Sequence, residues 1–323
     1  MIKCKQTPFE QVSDYLGELK SELMYLSPSI KSSVQEIRLR VGKPISLQIK
    51  DRTLSISERK VTKKEIDDCF LRICRYSVHS FGNQIAQGFI TLRGGHRVGI
   101  CGTAVMGNEK VTGIKDVSSV NIRIAKENIG CADELMHRIF GQGLKSIIIA
   151  GEPISGKTTI LRDLARQIGE KHKACIIDER SEIAAVYNGE PQLDIGIYTD
   201  VFNSFPKEIG IMTALRSMSP EIIICDEIGN SVSPLVECMN MGVKIIVTAH
   251  CASFEELFNR KATRDLIASG AFEKAVLLGS KKNIGKILGI WNITRGGISN
   301  ADEIDWCNFS DGDGIAYGYE NFL

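Results

Sequence analysis

No run of apolar residues in the chain approaches the roughly 18 needed to cross a bilayer, and the first residues, MIKCKQTPFEQ, lack the apolar centre of a signal peptide. Any membrane association is therefore expected to come through a partner. Ten cysteines are scattered through 323 residues, yet none forms a CxxC pair or joins histidine at zinc spacing, which argues against a disulfide framework or a structural metal. Cys175, Cys225 and Cys251 lie in or just after apolar runs, where a reduced thiol packs as a small core residue. A reducing cytoplasm is the expected compartment. Charge of one sign is missing too: 40 basic against 39 acidic residues leave a net charge of +1, so no chain-wide field recruits a polyanion. With only two tryptophans, nucleic acid is not an expected partner.

What is present is a soluble globular composition, 43% hydrophobic and 24% charged, sufficient for one large domain or two ordinary ones. Phe9, Val12, Leu16, Leu19, Leu23 and Leu26 recur at three- and four-residue steps, predicting one amphipathic helix over 9–26 that ends at Ser27-Pro28. The period then changes to two. Ile37, Leu39 and Val41, then Ile45, Leu47 and Ile49, then Leu54 and Ile56 read as a three-stranded meander. Thr62 followed by Glu65 is a capping box opening a helix with Ile66, Phe70 and Ile73 on one face, and strand patterns return in GFITLR, HRVGICGTAV and SSVNIRIAK.

Residues 1–128 thus read as a mixed α/β domain rich in antiparallel strands. From 129 to 290 short apolar runs alternate with helices, as in a parallel sheet covered on both faces. Residues 291–323 are polar and glycine-rich and are expected to form a carboxyl-terminal tail.

Between strand SIIIA and helix KTTILRDLARQIG lies GEPISGKTT, comprising Gly151, Glu152, Pro153, Ile154, Ser155, Gly156, Lys157, Thr158 and Thr159. Amides between the two glycines suit a β-phosphate, the Lys157 ammonium bridges terminal phosphates, and the Thr158 hydroxyl ligates Mg²⁺. ATP and Mg²⁺ are the cofactors this pattern calls for. Ile154 is the oddity. A left-handed L-residue costs about 1–2 kcal/mol, more if β-branched, which would weaken binding roughly tenfold if charged wholly to the bound state. Alternatively Pro153 shapes the loop so that Ile154 needs no positive φ.

A second apolar strand ends in Asp226-Glu227, with Asp226 suited to the metal and Glu227 to orienting and activating water. The interval before it leaves room for one further strand and its helices. That strand ends in Asp178-Glu179-Arg180-Ser181-Glu182, either a ligand-facing acidic edge or a solvated turn with a surface ion pair. Another strand, KIIVTAH, ends in Thr248 and His250, which face the terminal phosphate only if it lies between the phosphate-loop strand and the Asp226 strand. Arg216, Arg93, Arg97 and Arg123 are candidates for neutralising phosphate charge across a subunit boundary, or are surface residues.

In that order, GEPISGKTT, CIIDERSE, ALRSMSPEIIICDEIGN and VKIIVTAHCAS resemble the phosphate loop, acidic box, metal box and histidine box of the type II and type IV secretion ATPases. VQEIRLRVGKPISLQIKDRTLSI resembles the first strands of their amino-terminal domain. EIRLRVGKPI, RGGHRVGICGTAV, KTTILRDLAR and DERSEIAA point to the sporulation branch of that superfamily.

The resemblance implies a RecA-like P-loop (ASCE) sheet and an ATPase of the mother-cell cytoplasm, docked on membrane proteins of a sporulation channel complex. It implies a hexameric homo-oligomer with ATP between the two domains. Glu227 matches the water-activating glutamate, His250 the histidine-box residue, and Glu179 and Glu182 the acidic box, either of which nears the metal. Asp226 stands where many secretion ATPases carry glycine. Two other readings stand beside hydrolysis: a nucleic-acid-stimulated NTPase, and a nonhydrolytic nucleotide-binding scaffold.

Overall fold

The computed structural model describes residues 6–300 except 51, 87, 108, 228–232, 260 and 295–296. An amino-terminal antiparallel sheet contains β1 (Glu36–Arg40), β2 (Ser46–Ile49), β3 (Arg52–Ser55), β4 (Phe89–Thr91), β5 (Arg97–Gly107) and β6 (Lys110–Arg123), in the order β3-β2-β1-β6-β5-β4. The expected meander is β1-β2-β3, with Ile37 opposite Leu47 and Leu47 opposite Leu54. Ile37, Leu39, Val98, Ile100, Val120 and Ile122 turn one face of this sheet onto Leu16, Leu19, Leu23, Ile66, Phe70 and Ile73.

The capping box forms as read: Thr62 accepts the Glu65 amide, Glu65 accepts that of Thr62, and the helix runs Lys63–Ile73. The single helix expected over 9–26 is instead three short pieces, Pro8–Ser13, Asp14–Leu19 and Lys20–Met24. Gly17, at φ 58° and ψ −130°, breaks the helical path, while Leu16, Leu19 and Leu23 still reach the core.

The second sheet has the order β14-β13-β12-β7-β11-β10-β8-β9. Its parallel part comprises β7 (Ile147–Gly151), β8 (Ala174–Asp178), β9 (Thr199–Asn203), β10 (Ile222–Cys225), β11 (Lys244–His250) and β12 (Lys274–Leu278). Alternate residues of these strands feed two cores. Ile148, Ile223, Ile245 and Val247 pack on one face with Ile211 and Leu215, and Ile147, Ile149, Ile224 and Ile246 pack on the other with Ile160, Leu161 and Leu164. Two strands, β8 and β9, precede β10 where the sequence suggested one. β9 is an edge strand with half-exposed residues, so it has no continuous apolar run to announce it.

The sheet also continues past residue 290: β13 (Ile287–Thr294) pairs antiparallel with β12, and β14 (Gly297–Asn300) with β13. The rest of the expected tail, 301–323, lies outside the described residues. No helix among the described residues is long and apolar enough to cross a membrane.

Candidate functional site

Strand β11 lies between β7 and β10, the arrangement on which the reading of Thr248 and His250 depended. Its register sets His250 opposite Gly151, so the last residue of β11 flanks the first of the phosphate loop. The carboxyl ends of β7, β11, β10 and β8 therefore converge on the amino terminus of the helix Lys157–Gly169. There a cleft of about 450 Å³ is lined by Pro153 to Thr159, Arg180, Glu182, Asp226, Glu227, His250 and Ile284.

The loop geometry follows from its residues. Any Cβ on Gly151 would stand 2.4 Å from Ser155 Oγ and force Ser155 to shift, and Gly156 sits at φ 92°, where an L-residue would be strained, so glycine is favoured at both positions. Ile154 adopts φ 66° with its side chain 85% exposed, so the left-handed conformation is real and the alternative with no positive φ is set aside. Lys157 donates to the carbonyls of Gly151 and Glu152, each at 2.8 Å, and meets His250 Nδ1 at 3.2 Å. Burial pulls the Lys157 ammonium below the usual lysine range, against the opposing pull of Asp226 and Glu227.

Across the cleft, Thr158 Oγ1 donates to Asp226 Oδ2 at 3.1 Å, and the buried Thr248 hydroxyl donates to Asp226 Oδ1 at 2.6 Å. Thr248 Oγ1 also accepts the Glu227 amide at 2.8 Å, while Lys207 donates to the Glu227 carbonyl. These contacts hold Glu227 at φ 51° with its carboxylate in the cleft. One oxygen of that carboxylate lies 3.2 Å from Arg180 and the other 3.8 Å from His250 Nε2.

The acidic segment after β8 divides into three roles. Asp178 is buried and accepts the amides of Glu182, Ile183 and Ala184 at 2.8 to 3.0 Å, so it folds the segment instead of facing the cleft. Burial raises its pKa, an effect the three amides partly oppose. Glu179 is exposed, 3.9 Å from Lys207, and does not line the cleft. Glu182 does line it, and its carboxylate accepts from Arg97 of β5 at 2.6 Å, tying the acidic segment to the amino-terminal sheet.

Arg216 stands apart. It is exposed in the last turn of the helix Lys207–Ser217, about 14 Å along the axis from Lys207, at the end of the sheet away from the cleft. Arg123 pairs with Glu36, and Arg93 is exposed. Sequence reading singled out neither Lys207 nor Ile284. Lys207 opens a helix whose sequence carries no mark of the Glu227 carbonyl it binds, and Ile284 lies in a loop far along the chain whose only signal is an isoleucine inside KKNIGK.

Thr158 and Asp226 offer adjacent hard oxygen donors, which suits Mg²⁺. Among the described residues no three His, Cys, Asp or Glu side chains gather to hold a metal unaided. A two-donor set of this kind fits an ion that keeps waters and takes its remaining ligands from phosphate.

A family model described as Sporulation stage III, protein AA matches residues 10–298. Stage III sporulation protein AA of Bacillus subtilis (strain 168) is 33% identical over 306 residues, spanning 92% of this chain and 99% of that protein. The X-ray structure of the Yersinia pseudotuberculosis ATPase DotB has a TM-score of 0.57 at 18% identity, covering 86% of this chain and 80% of DotB. The pilus retraction motor PilT with bound ADP gives 0.51 at 14% identity, covering 77% and 76%. At these identities the structural likeness shows the fold, a RecA-like sheet preceded by a sheet of antiparallel strands, as in the secretion ATPases. Matched over nearly its whole described length, the chain belongs to the Sporulation stage III, protein AA family.

Proposed function

We propose that the chain binds ATP with Mg²⁺ in this cleft and hydrolyses it. The observation that carries the reading is the 3.1 Å approach of Thr158 Oγ1 to Asp226 Oδ2, with Glu227 and His250 lining the same space. Thr158 and Asp226 would hold the metal ion, which when bound neutralises charge on the phosphate oxygens. Amides of the loop and the first helical turn wrap the phosphates, and Lys157 exchanges its carbonyl partners for phosphate oxygens. Glu227, whose backbone is pinned on both sides, is placed to orient a water and take its proton.

The secretion-ATPase fold and the sporulation family support a finer reading. In it the chain works as a ring-shaped oligomer, with six subunits the expected number, on the cytoplasmic side of a sporulation channel complex held by membrane partners. Purified protein is expected to release phosphate from ATP, and Lys157→Ala and Glu227→Gln each to stop it. Assembly is read by measuring particle mass with and without a nonhydrolysable ATP analogue, and partners by pull-down against sporulation membrane proteins. Wild-type turnover no faster than that of Glu227→Gln would remove the enzymatic reading.

A further inference from the structure

The order of strands gives the cleft a direction. The groups suited to hydrolysis, Glu227, Thr248 and His250, all stand on the β11–β10 side of β7. On the other side of β7 is β12, and the loop from β12 to β13 brings Ile284 into the lining of the same cleft. A triphosphate lying on the amino terminus of the helix Lys157–Gly169, with its terminal phosphate toward Glu227, must send its first phosphate and the nucleoside toward the β12–β13 loop.

That loop is built to present one apolar side chain. Gly279 donates to the Lys286 carbonyl at 2.9 Å and Asn283 to that of Ser280 at 2.9 Å, closing the loop on itself. Gly285 donates to the Ser155 carbonyl at 3.0 Å, and Ser280 bonds the Glu152 carboxylate, fastening it to the phosphate loop. A Cβ placed on Gly156 would meet Gly285 Cα at 3.5 Å and Ile284 Cγ2 at 3.6 Å, so the two backbones lie against each other with Ile284 beside the phosphate-loop turn. Held there, Ile284 is 53% exposed, although its neighbours Lys281, Lys282 and Lys286 are free to face water at lower cost.

We propose that Ile284 is the wall on which the nucleobase of the bound nucleotide packs. The inference rests on the ATP reading above and adds the residue that holds the base. An aliphatic wall contributes affinity by burial without reading a base edge, so it acts on ATP and GTP alike. Covering the exposed half of an isoleucine corresponds to about a fivefold to tenfold gain in affinity.

The test measures dissociation constants in Mg²⁺ for ATP, GTP and inorganic tripolyphosphate, which has the phosphates and no base. Ile284→Ala is expected to weaken ATP and GTP by the same factor, about fivefold to tenfold, and to leave tripolyphosphate unchanged. Ile284→Trp offers a larger stacking face, and its added fluorescence is expected to change with ATP and stay constant with tripolyphosphate. ATP affinity unchanged in Ile284→Ala, or an equal loss for ATP and tripolyphosphate, would overturn the inference while leaving the ATP reading intact. Wild-type protein that binds none of the three would overturn both.

Discussion

Thr158 Oγ1 lies 3.1 Å from Asp226 Oδ2, and Thr248 holds the other oxygen of the same carboxylate at 2.6 Å. Thr248 thus fixes the orientation in which Asp226 meets Thr158, without lining the cleft itself. Partners that orient a metal-binding carboxylate are typically worth about 10–100-fold in metal affinity or activity. Thr248→Val is therefore expected to raise the Mg²⁺ concentration for half-maximal ATP hydrolysis by about that factor. A magnesium titration with the wild-type midpoint would contradict the role.

Asp178 and Glu179 are adjacent carboxylates with opposite fates. Removing the Asp178 side chain leaves the amides of Glu182, Ile183 and Ala184 without their acceptor, and one unsatisfied buried amide costs about 1–3 kcal/mol. Asp178→Ala is expected to lose about 3 kcal/mol or more in denaturant unfolding, whereas Glu179→Ala should change stability by about 0.5 kcal/mol or less. Equal losses would refute the division.

His96 is buried at the joint of the amino-terminal domain, where its Nδ1 accepts the Ala125 amide at 3.0 Å and its Nε2 meets Gln11 Oε1 at 3.1 Å. That pair of partners fits the neutral ring protonated at Nε2, since a proton on Nδ1 would face the Ala125 N–H. Burial pushes its pKa down from 6.5 to about 4. Between those values the unfolded chain binds the proton that the folded one refuses, so stability is intact above pH about 6.5 and falls as pH drops toward 4. The difference of about 2.5 pH units corresponds to about 3 kcal/mol. Stabilities of wild type and His96→Gln at pH 7 and pH 4.5 check this, with the wild type expected to lose about 2–3 kcal/mol more than the variant. Parallel losses would contradict it.

Ile154 at φ 66° carries a conformational cost of about 1–2 kcal/mol. With the side chain 85% exposed, little packing offsets that cost. Ile154→Gly is expected to tighten ATP by up to about tenfold, read by calorimetry in Mg²⁺. An unchanged dissociation constant would reject the idea that this strain weakens ATP binding.

The grouping of the candidate residues was legible where residue type and strand position coincide. A glycine-flanked loop after an apolar strand, and a carboxylate pair after another, singled out Lys157, Thr158, Asp226 and Glu227, which line one cleft in the structure. What local pattern could not decide was strand order, which long-range packing fixes. Thr248 reaches Asp226, and His250 reaches the cleft, only because β11 inserts between β7 and β10. Similarly, DERSE contains Asp178, Glu179 and Glu182 at one sheet edge, and only burial separates the residue that folds the turn from the one that lines the cleft. The amino-terminal helix shows the converse error. Apolar spacing correctly placed Leu16, Leu19 and Leu23 in the core, while Gly17 allowed the backbone to break among them.

The account stands most directly on separating binding from turnover in Glu227→Gln. The substitution keeps the size and shape of the side chain while replacing the acceptor-only carboxylate with a neutral amide, and the contacts that pin residue 227 run through its backbone to Thr248 and Lys207. ATP affinity in Mg²⁺ should stay within about threefold of wild type while phosphate release falls by about 100-fold or more, the scale of losing a general base. Retained phosphate release in that variant, with ATP bound normally, would contradict the assignment of this cleft as a hydrolytic centre.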